Sequence, residues 1–216
     1  MKNQTGLLIG IEGIDGSGKS SLAKALSTHL IDQGLTVLLT KEPGGTDFGK
    51  SLRQILQYRT TPLDSKAEFL LFAADRAQHF TELVIPALRS NQIVISDRTC
   101  DSSLVYQGYG RGLDLIILKQ VNQWAMQNYQ ADLTIYVQLP LTIAQSRMQK
   151  RAETPTVFEQ EQLEFQQKLI HGFEQLYTNR TDVLTLDGTK PTAELVLQAS
   201  QQIIQSLQNK LNNSCL

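Results

Sequence analysis

Cysteine is scarce in this chain. Its 216 residues include two, Cys100 and Cys215, with no C-x-x-C spacing. That argues against a disulfide framework or a zinc site and for a reducing compartment, the cytoplasm. The three histidines, His29, His79 and His171, are scattered without metal-ligand spacing. Long apolar runs are also missing. None approaches ~18 residues, so no membrane span is expected. The opening stretch MKNQTGLLIGIEG lacks the extended apolar core and small-residue cleavage site of a secretion leader. Neither charge sign dominates: 20 Lys and Arg against 21 Asp and Glu leave a net charge of −1, which argues against a broad nucleic-acid-binding face. No repeat or Pro/Gly-rich linker divides the sequence, so one domain over residues 1–216 is expected.

What is present is an alternation of short apolar strands with longer helical patterns. Strands are predicted at 7–12, 36–41, 92–97, 133–139 and 183–186, and helices at 19–33, 48–57, 66–89, 113–128, 143–150, 160–179 and 192–211. The segments IVIS and LTIYVQL are β-branched and apolar, as strands covered on both faces are. In the last helix Leu195, Ala199, Ile203, Leu207 and Leu211 recur every four residues and mark one buried face. Alternating strands and helices predict an α/β fold, a parallel sheet with helices on both sides.

The most specific signal follows the first strand. Residues 13–20, GIDGSGKS, match G-x-x-x-x-G-K-[ST] in full, between a predicted strand and a predicted helix. Gly13, Ile14, Asp15, Gly16, Ser17, Gly18, Lys19, Ser20 and Ser21 would form a cradle of backbone N–H groups at a helix N-terminus, where anions bind. Lys19 would reach the β- and γ-phosphates of a nucleoside triphosphate, and Ser20 would bind Mg²⁺. A GTPase would need an N-K-x-D motif, and none is present. A motor ATPase would be larger and carry an oligomeric interface, so this compact chain with its further Arg-bearing segments fits an ATP-dependent small-molecule kinase better.

Three further stretches carry isolated polar groups. TKEPGGT (40–46) makes a loop at the C-terminal end of the second strand, where ligands bind in open α/β sheets. In FLLFAADRAQHF (69–80), Phe69, Phe72, Ala73 and Arg76 fall on one helix face. They set an aromatic ring one turn from a guanidinium, which suits a planar heterocycle with a carbonyl; read alone, the stretch equally fits a core Phe beside a surface Asp75/Arg76 pair. In VISDRTCDSSLVYQG (94–108), Asp97 ends a strand, the usual place of a carboxylate near Mg²⁺. Arg98 follows as a bidentate phosphate binder, and Ser102, Ser103, Tyr106 and Gln107 add hydroxyl and amide groups.

Together EGIDGSGKSS, KEPGGT, FAADRAQH and DRTCDSSLVYQG resemble the thymidylate kinase family, over nearly the whole chain. The resemblance implies a three-layer P-loop nucleoside monophosphate kinase fold, with a five-stranded parallel sheet flanked by helices and a mobile lid at about 146–162. It implies ATP as phosphate donor, Mg²⁺, dTMP as acceptor and a homodimer. Arg98, helped by Arg53, would grip the acceptor phosphate. Phe72 would stack on thymine, Arg76 would donate to its carbonyl, and Ser103 and Gln107 would meet its other polar edge. Tyr106 would pack under the sugar and Asp15 would approach its 3′-hydroxyl. Glu12, Glu42 and Pro43 would line the same pocket, and Asp97 would help hold Mg²⁺.

In the family an extra arginine comes from the cradle or from the lid. Here Gly16 follows Asp15, so the lid must supply it: Arg151 is the expected catalytic arginine, with Arg147, one helical turn away, second. Two departures from the family pattern stand out. Thr156-Val157 replaces the usual Asp-Arg pair before Phe158-Glu159, with Glu159 retained at the acceptor site, and Thr99 replaces an aromatic residue after Arg98. Cys100 then lies near the pocket, as a reactive or a buried thiol. LDGTKP (186–191) resembles the loop against adenine. A deoxynucleoside kinase using Glu12 or Glu42 as base, and an ATP-binding regulatory protein, remain as alternatives.

Overall fold

The computed structural model describes residues 6–150 and 154–213. In chain order the elements begin with β1 (Leu7–Glu12), α1 (Lys19–Asp32), β2 (Val37–Lys41), α2 (Asp47–Tyr58) and α3 (Ser65–His79). A π-helical stretch (Phe80–Val84) leads into α4 (Ile85–Arg89) and β3 (Ile93–Asp97). The short α5 (Cys100–Ser103) runs into a second π-helical stretch (Leu104–Gly110), followed by α6 (Leu115–Ala125) and β4 (Leu133–Gln138). Then come α7 (Leu141–Gln149), α8 (Leu163–Tyr177), β5 (Val183–Asp187) and α9 (Thr192–Asn213).

The strands form one parallel sheet in the order β2-β3-β1-β4-β5. β1 is buried along its whole length, with Ile9 paired to Ile95 on one side and Leu133 on the other. The edge strands β2 and β5 are half-buried. Side chains alternate across the sheet as the pleat requires. Leu7, Ile9, Ile11, Ile95 and Ile135 meet Leu22 and Leu26 of α1 and Leu195, Ala199 and Ile203 of α9. Leu8 and Val94 meet Phe80 and Val84 on the opposite face, and Tyr136 stacks on Phe173 there. The predicted α9 stripe is followed as far as Leu207, whereas Leu211 is exposed. The result is the expected three-layer α/β architecture.

Three helix predictions need correction. The predicted helix 66–89 is interrupted by the wide turn Phe80–Val84, just before Pro86. Proline has no N–H to give and its ring crowds the carbonyl four residues back, so the turn ahead of it opens. The helix predicted at 113–128 starts later, because Asp114 Oδ1 caps Ile116 N at 2.7 Å. It ends earlier, where Gln127 and Asn128 take φ of 50° and 63°. The helix predicted at 160–179 is the shorter α8, and the residues before it fold against α2, with Val157 N donating to Gln57 O at 3.0 Å.

Loops leaving the C-terminal ends of the strands gather at one edge, and β1 lies between β3 and β4. The chain crosses from one flank of β1 to the other there, which is where open α/β sheets place ligands.

Candidate active site

A crevice of about 610 Å³ opens at that edge. At one end lies the cradle. Gly16 has φ +82°, and a Cβ there would stand 2.5 Å from the Ala144 carbonyl oxygen of α7. No side chain fits, so position 16 cannot carry the cation that some cradles supply. Gly18, at φ +96°, is the N-cap of α1, and Lys19 follows it. Lys19 Nζ donates to Ile14 O at 3.1 Å and to Asp15 Oδ1 at 3.3 Å. Burial and then the nearby Arg98 charge lower its pKa.

Ser20 Oγ donates to Asp97 Oδ2 at 2.5 Å, while Asp97 Oδ1 is buried with no hydrogen-bond partner. An orphaned carboxylate oxygen beside a hydroxyl is an all-oxygen donor set of the kind Mg²⁺ takes. Among the described residues no group of three or more His, Cys, Asp or Glu could hold a metal. A cation at this pair would therefore complete its shell with phosphate oxygens and water.

Arg98 dominates the centre. Its backbone takes φ +76°, pinned by its N–H to Ile11 O at 2.9 Å. Its guanidinium donates to Gly13 O, Ser102 Oγ, Asp15 Oδ1 and Tyr106 OH, and lies 5.0 Å from the Tyr106 ring centroid. Burial alone would raise the Asp15 carboxyl, but Arg98 and Lys19 hold it well below the usual carboxylate range. Burial pushes the Tyr106 phenol up.

Glu12, three residues earlier, does not reach the crevice, so the expectation that it lines the acceptor pocket is corrected. It is fully buried and accepts from Thr99 N (2.7 Å), Thr99 Oγ1 (2.9 Å), Ser102 N (3.3 Å) and Ser102 Oγ (2.6 Å). Burial, with Asp101 second, raises its pKa to about 7. The departure at Thr99 has a physical role here, because its hydroxyl answers this buried carboxylate. Cys100 is partly buried, and burial pushes its thiol pKa up, which disfavours the thiolate.

The 42–46 loop is fastened by α3. Arg76 is 1% exposed, with Nε on Glu42 Oε2 at 2.8 Å, Nη1 on Asn122 Oδ1 at 2.6 Å and Nη2 on Thr99 O and Ser103 Oγ. His79 Nδ1 lies 3.0 Å from the other oxygen of Glu42. Asp75 accepts from Gly44 N at 3.0 Å, and burial raises its pKa to about 6. Arg53 Nη1 donates to Pro43 O at 3.0 Å.

The far end of the crevice is aromatic. Phe72, Tyr106 and Phe158 line it, with ring centroids 5.9 Å apart for Phe72–Phe158 and 5.8 Å for Tyr106–Phe158. Ser103 and Gln107 join them. Thr156 and Glu159 close the Phe158 turn on itself: Thr156 N donates to Glu159 Oε2 at 2.9 Å and Glu159 N to Thr156 Oγ1 at 3.2 Å. Arg147 bridges Ser17 O (3.3 Å) and Gly188 O (2.9 Å), clasping the cradle to the loop after β5. Arg151 lies outside the described residues.

Of the residues singled out in sequence, Asp15, Lys19, Ser20, Glu42, Arg53, Phe72, Arg76, Asp97, Arg98, Ser103, Tyr106, Gln107, Arg147 and Glu159 meet at one crevice. Sequence reasoning missed Phe158, Gln57 and Tyr58, which also line it. Phe158 carried a signal, an aromatic residue beside Val157 in a mostly polar stretch.

Comparison with known proteins agrees. A family model described as thymidylate kinase matches residues 11–199. The thymidylate kinase of Halothermothrix orenii is 41% identical over 194 residues, 88% of this chain and 92% of that one. That of Carboxydothermus hydrogenoformans is 41% identical over 190 residues, 88% and 93% of the two chains. Among solved structures, the thymidylate kinase from Ehrlichia chaffeensis superposes with a TM-score of 0.74 at 29% identity, covering 92% of this chain and 98% of that one.

Proposed function

The chain belongs to the thymidylate kinase family, and on that premise we propose how its residues move the γ-phosphoryl group of ATP to dTMP, giving ADP and dTDP. The observation that carries the reading is the continuity of the crevice. A phosphate cradle, a central arginine and an aromatic wall follow one another in a single cavity.

The ATP phosphates lie in the cradle, with Lys19 on the β- and γ-phosphates. The dTMP phosphate sits on Arg98 and Arg53, and its base lies against Phe72, with Arg76, Ser103 and Gln107 at its polar edge. One acceptor phosphate oxygen attacks the γ-phosphorus in line as the bond to the β–γ bridging oxygen breaks, and ADP departs with that electron pair. The acceptor oxygen is already ionised near neutral pH, so no strong base is needed, and catalysis is positioning and charge compensation. Ser20 and Asp97 would hold Mg²⁺, whose charge offsets that on the phosphate oxygens. Asp15, kept ionised by Arg98 and Lys19, accepts from the sugar 3′-hydroxyl. The segment 146–162 acts as the lid that excludes water, and Arg147 and Arg151 provide its positive charge. We treat residues 1–216 as one kinase domain.

A nucleoside kinase needs a free carboxylate base at the 5′-hydroxyl. Glu12 is sealed behind the 99–102 turn, and Glu42 is held between Arg76 and His79, which disfavours that reading. The test is ADP release from ATP alone, with thymidine and with dTMP. Release that depends on dTMP is expected, and equal release without it would overturn the assignment in favour of an ATP-binding regulator.

Two further features belong to the proposal. Helices α2, α3 and α6 pack side by side and leave Ile55, Leu70, Ile117 and Trp124 exposed, Trp124 by 82%. This apolar face suits a homodimer, and Trp124→Glu should shift the sedimentation coefficient to that of a monomer. The setting is cytoplasmic, in keeping with cysteines that lack partner spacing.

A further inference from the structure

Behind the aromatic end of the crevice sits a carboxylate with no part in the chemistry so far. Glu68, in the first turn of α3, is 1% exposed. Its Oε1 accepts from Gln107 Nε2 at 3.0 Å and Arg111 Nε at 3.3 Å. Its Oε2 accepts from Arg59 Nη2 at 2.6 Å and Arg111 Nη2 at 3.4 Å. Facing two guanidinium groups, both of its oxygens serve as acceptors.

The consequence falls on Gln107. A carboxamide has a donor end and an acceptor end. Glu68 takes the donor end, so the carbonyl Oε1 is the end left for the crevice that Gln107 lines, and it has no hydrogen-bond partner among the described residues. Arg76, on the same wall, commits four of its N–H groups to Glu42, Asn122, Thr99 and Ser103, which leaves one of the five a guanidinium carries. A donor beside an acceptor complements a pyrimidine that shows a carbonyl next to an N3–H. It opposes one that shows an amino group next to a bare N3.

Resting on the base assignment above, we propose that Glu68 is the positioning residue for base selection: it locks the Gln107 amide with its carbonyl toward the crevice, so that the site accepts thymine-type monophosphates and refuses cytosine-type ones. The same carboxylate anchors Arg59 and Arg111, whose guanidinium carbons stand 5.5 and 5.9 Å from the Phe158 ring centroid, and Arg111 also reaches Glu161 at 2.5 Å. Base reading and the seat of the lid aromatic thus share one anchor.

The test is kcat/KM for dTMP and for dCMP in the wild type, Glu68→Gln, Gln107→Leu and the double variant. A glutamine at 68 can donate as well as accept, so the Gln107 amide is free to turn. The dTMP:dCMP ratio should fall by about tenfold or more in each single variant. The double variant should fall no further, because the two side chains act as one unit. The KM for ATP should stay put, which a general loss of structure would not produce. If Glu68→Gln does not fold, Glu68→Asp keeps the charge but draws it back from the amide, and the ratio should fall there as well. If neither folds, Gln107→Leu decides. A folded Glu68 variant, or Gln107→Leu, that keeps the wild-type ratio would overturn the proposal. A wild type with no preference for dTMP is a different result: the base assignment fails, and this inference with it.

Discussion

At the cradle, eight consecutive residues, 13–20, supply nearly everything: turns that tolerate no side chain, a helix N-terminus and Lys19. At the aromatic end, Phe72 comes from α3, Tyr106 and Gln107 from the second π-helical stretch, and Phe158 from the turn before α8. The first is mostly one stretch of backbone, tied by Lys19, Arg98 and Arg147. What holds the second together is a set of buried ion pairs and hydrogen bonds, Glu42–Arg76 with His79 on the other Glu42 oxygen, and Arg59–Glu68–Arg111. The contrast teaches that substitutions at the cradle should cost catalysis with little effect on folding, whereas substitutions behind the base site should cost both.

The largest effect sharpens that contrast. Arg76→Met leaves Glu42 buried without its guanidinium, and breaking such a pair costs about 3–5 kcal/mol. Thermal unfolding should show a drop in Tm of about 10 °C or more. The KM for dTMP should rise far more than that for ATP. Lys19→Ala should instead lower turnover by about 10²-fold and leave Tm nearly unchanged, because Arg98 still compensates Asp15. A large fall in Tm for Lys19→Ala would break the distinction between the two ends.

Phe158→Ala removes an aromatic neighbour of Phe72 and Tyr106, and steady-state kinetics should show a rise in the KM for dTMP of about tenfold. ATP hydrolysis without acceptor should increase as the crevice admits water. A pH-dependent effect separates Glu12 from Asp15. The Glu12 pKa is raised from 4.5 to about 7, so between those values the folded state binds more protons than the unfolded one. Stability then falls as pH rises through that window. Wild type should lose Tm relative to Glu12→Gln between pH 5 and pH 7.5. A constant difference would mean that Glu12 is not perturbed.

How much was legible in the sequence follows the same division. The cradle and all five strands could be read because spacing and apolar runs are local properties. Phe158 could not be placed, because its partners lie 52 and 86 residues away at Tyr106 and Phe72, and long-range contacts, the backbone bond from Val157 to Gln57 and the Arg111–Glu161 pair among them, bring that turn over the crevice. Arg76 was read as a base-binding donor, but four of its N–H groups turn out to serve the protein. Glu12 followed a strand into an apparent pocket and instead points behind it. A carboxylate's side of a turn is set by long-range hydrogen bonds, here to Thr99 and Ser102, and no local pattern announces them.

The most direct measurement is a crystal structure with dTMP and a non-hydrolysable ATP analogue bound together. The account predicts the two nucleotides end to end in one crevice, with the dTMP phosphate on Arg98 and the thymine ring beside Phe72 with its N3–H on Gln107. A thymine ring lodged away from Phe72 and Gln107, or an acceptor phosphate that does not touch Arg98, would contradict it.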